Sequence, residues 1–227
     1  MTVEAPAVPY GFRRLTLGNV GCKSVGLLNI FRRRRPIRTV DELARFLDEN
    51  ASFLVQKGIF EYSRARAGHY AKVLFAEPAF VEVVDRSRWR AYPLGVAMVA
   101  EAIDAALRQY GDMDRGQRLA GLSTLALSVF DSHPVPAALG NDAWRALRKD
   151  LAQRLQLIGL HPPKRVMDMP EPFAKDYFGL MPIHEKLRGS DFPTIRNYLK
   201  VTLCNIHDEL TRRMDRAALL RSLRENA

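Results

Sequence analysis

Hydrophobic residues recur at intervals of three and four along most of the chain, the spacing of one face of an α-helix. Val40, Leu43, Phe46 and Leu47 make the first such face. Ahead of them Thr39-Val40-Asp41-Glu42 has the form of a capping box, with Thr39 accepting a backbone N–H three residues on and Glu42 reaching back. A second helix start is expected at Asn50 or Ser52, leading through Phe53, Leu54, Ile59, Phe60 and Tyr62 to Gly68 as terminator. Pro78 opens a long helix expected to reach Tyr110 and to end at Gly111, with Pro93 kinking or splitting it. Residues 91–107 are apolar on nearly every face apart from Glu101 and Asp104, the pattern of a central helix enclosed by others.

The second half repeats the pattern. Leu119–Phe130 is apolar and helical, stopped by Asp131-Ser132-His133-Pro134. Asp142–Ile158 places Trp144, Leu147, Leu151, Leu155 and Ile158 on one stripe, with Gly159 as terminator, and His161-Pro162-Pro163 reads as a linker. Asp191-Phe192-Pro193 predicts a last helix, with Asp191 as its cap. Ile195, Leu199, Leu203, Ile206, Leu210 and Met214 carry that helix toward about residue 224. No alternating run of four or more residues predicts a strand. The expectation is an all-α fold, an irregular helical bundle of about six to eight helices. Residues 39–227 would form a single helical domain, with a candidate internal linker near 159–172, behind a flexible basic arm at residues 1–38.

Composition is ordinary for a globular protein, with 47% hydrophobic and 26% charged residues, and charge changes the picture only at the N-terminus. Residues 1–40 hold eight basic side chains (Arg13, Arg14, Lys23, Arg32, Arg33, Arg34, Arg35 and Arg38) against Glu4, a net charge of +7 out of +10 for the whole chain. Such an arm suits an anionic partner. Apolar residues from Leu15 to Phe31 are interleaved with the basic ones, so an anionic membrane surface is the first candidate partner of Arg32, Arg33, Arg34 and Arg35. A protein partner stands beside it, nucleic acid ranks behind because aromatic residues for base stacking are few, and a solvated leader with no direct role is the bland alternative. The excess of arginine over lysine also fits the coding bias of GC-rich bacteria.

Arg13-Arg14 and Val20-Gly21-Cys22 have the outlines of a twin-arginine and a lipoprotein signal. Lys23 interrupts the apolar core that both need, and Arg32–Arg35 follow it. The expected location is therefore cytoplasmic, peripheral to the membrane if the arm binds it. Two distant cysteines, Cys22 and Cys204, do not suggest a disulfide framework.

Candidate chemistry is sparse. Glu61 and Arg64 sit three apart and could pair on a helix or form a polar patch. Glu101 and Asp104 share a face of an apolar helix, where a carboxylate must be paired, solvated or shifted in pKa. A solvent-facing helix edge, or a salt bridge to Arg108, is the simpler account of them. With His133 these residues would form a pocket between apolar helices if the fold brought them together. Cys204, His207 and Asp208 are conceivable as part of a zinc site, but no recognised metal spacing is present and Cys204 reads more simply as a core residue. No metal and no cofactor are expected. Glycine-rich phosphate loops and nucleophile elbows are missing from the sequence. The leading expectation is a non-enzymatic helical binding or adaptor protein held at a membrane face by its arm. A small-molecule carrier or enzyme with an inter-helix pocket is the first alternative, and nucleic-acid association through the arm the second.

Overall fold

The computed structural model describes residues 35–109, 114–158 and 160–225. These form nine α-helices, two of them single turns. They are α1 (Val40–Ala67), α2 (Ala71–Leu74), α3 (Pro78–Arg108), α4 (Arg115–Asp131), α5 (Asn141–Ile158), α6 (Glu171–Gly179), α7 (Glu185–Arg188), α8 (Phe192–Arg213) and α9 (Arg216–Glu225). The fold is all-α, and the seven longer helices make an irregular bundle around α3.

α1 begins at the expected capping box. The Glu42 amide donates to Thr39 Oγ1 at 3.2 Å, and Glu42 Oε2 accepts from the Thr39 amide at 3.2 Å. The second start expected at Asn50 or Ser52 does not occur, and α1 runs unbroken to Ala67. The reason is visible in the side chains: Asn50 donates back to the Phe46 carbonyl at 2.8 Å, and Ser52 turns toward Asp48. Meanwhile the buried face Leu43, Phe46, Leu47, Ala51, Leu54, Val55 and Ile59 continues in register across them. A polar residue that bonds within its own helix does not end it.

α3 likewise passes through Pro93 as one helix. From Ala91 to Asp104 every residue of α3 is buried, as a helix surrounded by neighbours requires. Its most extensive partner is α1. The two backbones come close at Gly95, where a Cβ would stand 2.9 Å from the Ala51 carbonyl oxygen and 2.8 Å from Val55. Gly58 permits a similarly close approach two turns beyond Ala51 along α1. A Cβ there would fall 2.3 Å from the Tyr177 hydroxyl and 2.6 Å from Tyr198 Cε1. Both tyrosines use that proximity, Tyr177 donating to the Val55 carbonyl at 3.0 Å and Tyr198 to the Leu54 carbonyl at 2.9 Å.

The expected last helix breaks at Met214 and resumes as α9. Backbone pairing explains the break. The Ile37 amide donates to the Arg213 carbonyl and the Asp215 amide to the Ile37 carbonyl, each at 2.9 Å, which is a single parallel bridge. Met214 is therefore buried by that bridge rather than by a continuing helix. Ile37 itself is buried, and Arg38 pairs with Asp215 at 3.1 Å, so the segment just before α1 packs with the body. Asp191 precedes α8 but makes no side-chain cap. Its carboxylate accepts instead from the Tyr62 hydroxyl at 2.9 Å; burial first, and then this bond, push the Tyr62 phenol up to about 12.

The stretch between α5 and α6, expected as a linker, carries a 3-10 turn at Val166–Asp168 that packs on α8. No helix of the described residues is long and apolar enough to cross a membrane. The expected terminators Gly111 and Gly159, and Tyr110, lie outside the described residues, as does the arm through Arg34.

Candidate functional site

Asp114 starts the site. Its carboxylate accepts from the Gln117 amide at 3.1 Å, capping α4. One turn on, that helix turns Arg118 inward against α3. Arg118 Nε donates to Asp104 Oδ1 at 2.8 Å, and both residues are buried. The second oxygen of Asp104 takes Arg108, one helical turn along α3, at 3.3 Å. A buried carboxylate shared by two guanidiniums is the arrangement that makes such burial tolerable.

Beside this cluster lies a pocket of about 260 Å³ lined by Asp104, Arg108, Arg115, Arg118, Leu119, Ile158, His161 and Pro163. Arg115 is exposed and reaches the His161 carbonyl at 3.4 Å. Three arginines and one carboxylate on a single pocket wall favour an anion.

A smaller pocket of about 60 Å³ adjoins the first, sharing Ile158 and His161. Glu101 lies on its wall, buried, with Lys164 Nζ at 3.3 Å. Burial pushes the Glu101 carboxyl above its ordinary value, against the pull of Lys164 and the weaker pull of His161. Arg154 closes the other side, already bound to Asp150 at 2.7 Å and Asp176 at 2.9 Å.

The five expected pocket residues therefore separate into three places. Glu101 and Asp104 line the two adjoining pockets, and neither faces solvent; the expected salt bridge of Asp104 to Arg108 is present. Glu61 and Arg64 are exposed on α1. His133 sits elsewhere in the core, where its Nε2 lies 2.9 Å from Asp48 Oδ1 and 3.0 Å from the Tyr92 hydroxyl, while Tyr92 donates to Asp48 at 2.7 Å. Burial opposes ionisation of Asp48, but hydrogen bonds from His133 and Tyr92 hold its carboxyl below the usual range. Trp89, Phe130 and Trp144 pack around this triangle, Phe130 stacking on Trp144 at 4.1 Å. The three polar groups serve one another and tie α1 and α3 to the turn after α4, which is the work of a structural polar network.

Of the anionic-partner set, Arg32, Arg33 and Arg34 lie outside the described residues. Arg35 is exposed, and its carbonyl accepts from Arg213 at 3.0 Å. At Cys204 burial, then Asp208 and Asp168, push the thiol up, away from the thiolate that a metal or a nucleophile would need. Among the described residues no group of three or more His, Cys, Asp or Glu side chains is placed to hold a metal.

Sequence reasoning missed Arg115, Arg118, His161 and Lys164. A buried arginine fourteen residues from its carboxylate leaves no periodic signal, and His161-Pro162-Pro163 read as a linker rather than as a wall. Comparison with protein-family models, with curated proteins and with solved structures finds no match, so the reading of the site rests on its own geometry.

Proposed function

We propose that this chain is a helical binding protein that takes a small anionic molecule into the pocket between α3, α4 and the end of α5. The observation that carries the reading is the pocket of about 260 Å³ in which Arg108, Arg115 and Arg118 face one carboxylate, Asp104. Planar guanidiniums match the paired oxygens of carboxylate and phosphate groups. A partly desolvated site also strengthens each charge-assisted bond relative to open water. Because Asp104 already fixes Arg118 and Arg108, the two reach a ligand pre-oriented, which lowers the ordering cost of binding.

Calorimetric titration of the full chain with inorganic phosphate tests this. Arg115→Gln removes an exposed lining group without touching the buried cluster and should weaken binding roughly tenfold, the scale of one charge-assisted hydrogen bond. Arg145→Gln, at an exposed position of α5, should leave binding unchanged. Equal loss in both variants, or no binding at all, refutes the reading.

A second reading concerns the arm, supported by the net charge of +7 in the first 40 residues. There the chain would attach reversibly to an anionic membrane surface at its cytoplasmic face, each basic group contributing about 1 kcal/mol. Full-length protein should co-sediment with phosphatidylserine-containing vesicles but not with purely zwitterionic ones. Replacing Arg32–Arg35 by serine should abolish this without loss of helical signal. Binding to both vesicle types alike, or persistence after the replacement, refutes it.

A further inference from the structure

We infer that the turn joining α1 to α3 is a lipid-contacting tip, in which Tyr70 and Val73, flanked by Arg64 and Lys72, enter the headgroup layer of an anionic membrane. This rests on the membrane reading of the arm above and goes further by naming the part of the helical body that meets the lipid.

From Arg64 to Arg86 no residue is buried. The chain leaves α1, makes a 3-10 turn at Gly68–Tyr70 and the single turn of α2, and enters α3. α2 packs chiefly on α1 and on the turn before it. What holds this end together is aromatic: the Phe75 ring centre lies 4.8 Å from that of Phe60 on α1 and 5.2 Å from that of Phe80 on α3. Ala71, Leu74 and Phe75 are half-buried by that anchorage, whereas His69, Tyr70, Lys72, Val73 and Ala76 are exposed. Tyr70 is 76% and Val73 62% exposed, so two large apolar side chains three residues apart stand in water on a turn whose inner side is fixed.

Charge says what covers them. From Tyr62 to Ala76 the chain carries Arg64, Arg66, His69 and Lys72 and no Asp or Glu. Arg66 is held by Asp191 at 3.5 Å. Arg64 and Lys72 are exposed, and neither enters an ion pair among the described residues. Glu61 and Glu77 bound the segment, and beyond it Glu82 and Asp85 are matched by Arg86 and Arg88. Such a cationic turn with an apolar tip complements an anionic lipid surface. Lysine and arginine stems lie along apolar surface while their charges stay at the headgroups, and a tyrosine ring with its hydroxyl suits the same depth. A protein partner would need about 800 Å² on this side, whereas the outward face of the turn is five residues wide. One short apolar tip holds only marginally, and durable peripheral attachment takes two signals. The polybasic arm supplies the other, so the tip strengthens the arm's attachment rather than replacing it.

The test is quantitative partitioning of the full-length protein onto vesicles of phosphatidylserine and phosphatidylcholine. Tyr70→Ser combined with Val73→Ser should weaken partitioning about tenfold, each side chain giving up about the value of one buried CH2 group. Lys72→Gln should weaken it about fivefold, the value of one basic group near such a surface. Circular dichroism should be unchanged in both proteins, since the three positions are exposed. Tyr70→Trp reads depth separately. The native tryptophans, Trp89 and Trp144, are buried, so a blue shift and quenching by lipids brominated on the acyl chain report position 70. Val201→Trp, at an exposed position of α8, should show neither.

Partitioning of the double-serine or the Lys72→Gln protein equal to the parent's overturns the tip, and so does a Tyr70→Trp protein whose emission is neither shifted nor quenched. In each case binding that still depends on Arg32–Arg35 keeps the arm reading. Quenching of Val201→Trp as strong as that of Tyr70→Trp also overturns the tip, because it shows adsorption without a preferred face. A parent protein that binds no acidic vesicle removes both.

Discussion

Adding a single methyl group at Gly58 sets helix propensity against packing, and the structure decides which wins. Inside a helix, Gly→Ala is worth about 1 kcal/mol in favour of alanine. At position 58 the new Cβ would lie 2.3 Å from the Tyr177 hydroxyl and 2.6 Å from Tyr198 Cε1. Neither ring is free to swing away. Tyr177 is fully buried and its hydroxyl donates to the Val55 carbonyl, while Tyr198 donates to Leu54. Relief requires α6 and α8 to back off from α1, which costs about 1–3 kcal/mol as overpacking. Loss of one or both tyrosine hydrogen bonds adds about 1 kcal/mol each. Gly58→Ala should therefore destabilise the protein by about 1–4 kcal/mol net of the propensity gain.

Urea denaturation followed by far-UV circular dichroism measures the change directly. A cycle with Tyr177→Phe isolates its cause. Removing the hydroxyl deletes the nearest contact, so the double variant should lose about 1 kcal/mol less than the two single losses added together. It should not recover fully, because Tyr198 Cε1 remains in the way. A Gly58→Ala protein as stable as the parent, or strict additivity in the cycle, would refute the packing of the two tyrosines on α1.

Two further outcomes bear on the candidate site. Asp104→Ala removes a buried carboxylate that Arg118 and Arg108 share, and should cost about 3–5 kcal/mol in the same urea assay; a change within about 0.5 kcal/mol would mean that Asp104 faces solvent. For Glu101 the folded pKa is raised above the unfolded value of about 4.3, so its contribution is fully present below that value and is lost as pH rises through the folded pKa. The stability of the parent relative to Glu101→Gln should accordingly fall as pH is raised from about 4 toward 7, other groups cancelling between the two proteins, and a gap that is constant or widens with pH contradicts the burial of this carboxyl.

The features legible in the sequence are those in which neighbours along the chain are neighbours in space. The Thr39 capping box, the termination at Gly68 and the buried sweep of α3 are set by residues within one or two turns of each other. The misreadings share a different cause. Asn50, Ser52 and Asp191 are good caps by residue type, yet each is bound to something else: the Phe46 carbonyl, Asp48 and Tyr62 respectively. Capping propensity says what a side chain can accept, and the tertiary partner decides what it does accept. The break at Met214 is the clearest instance. Its partner, Ile37, is 177 residues away in sequence, and the two residues present only apolar side chains to the pattern while their backbones do the pairing.

The same division runs through the site. Glu101 and Asp104 could be singled out because a carboxylate in an apolar helix is an anomaly that must be resolved somewhere, and Arg108 could be offered as a partner because it is one turn away. Arg118 and Lys164, which complete the two pairs, arrive on α4 and on the segment before α6. Nothing local distinguishes them from the other basic residues of an arginine-rich chain. What selects them is the order in which helices pack on α3: α4 brings one guanidinium to Asp104, and the chain leaving α5 brings one ammonium to Glu101. The anomaly in α3 thus fixes where polar groups must converge, and the bundle's topology determines which cations reach it, Arg108 and Arg118 bonding Asp104 on the wall of a pocket that Arg115 also lines. Arg115, by contrast with Arg108 and Arg118, is exposed and reaches the His161 carbonyl. An exposed side chain can be changed without taking a partner from the buried carboxylate, which is why the Arg115 substitution, rather than any change in the buried cluster, tests the proposed anion binding apart from folding.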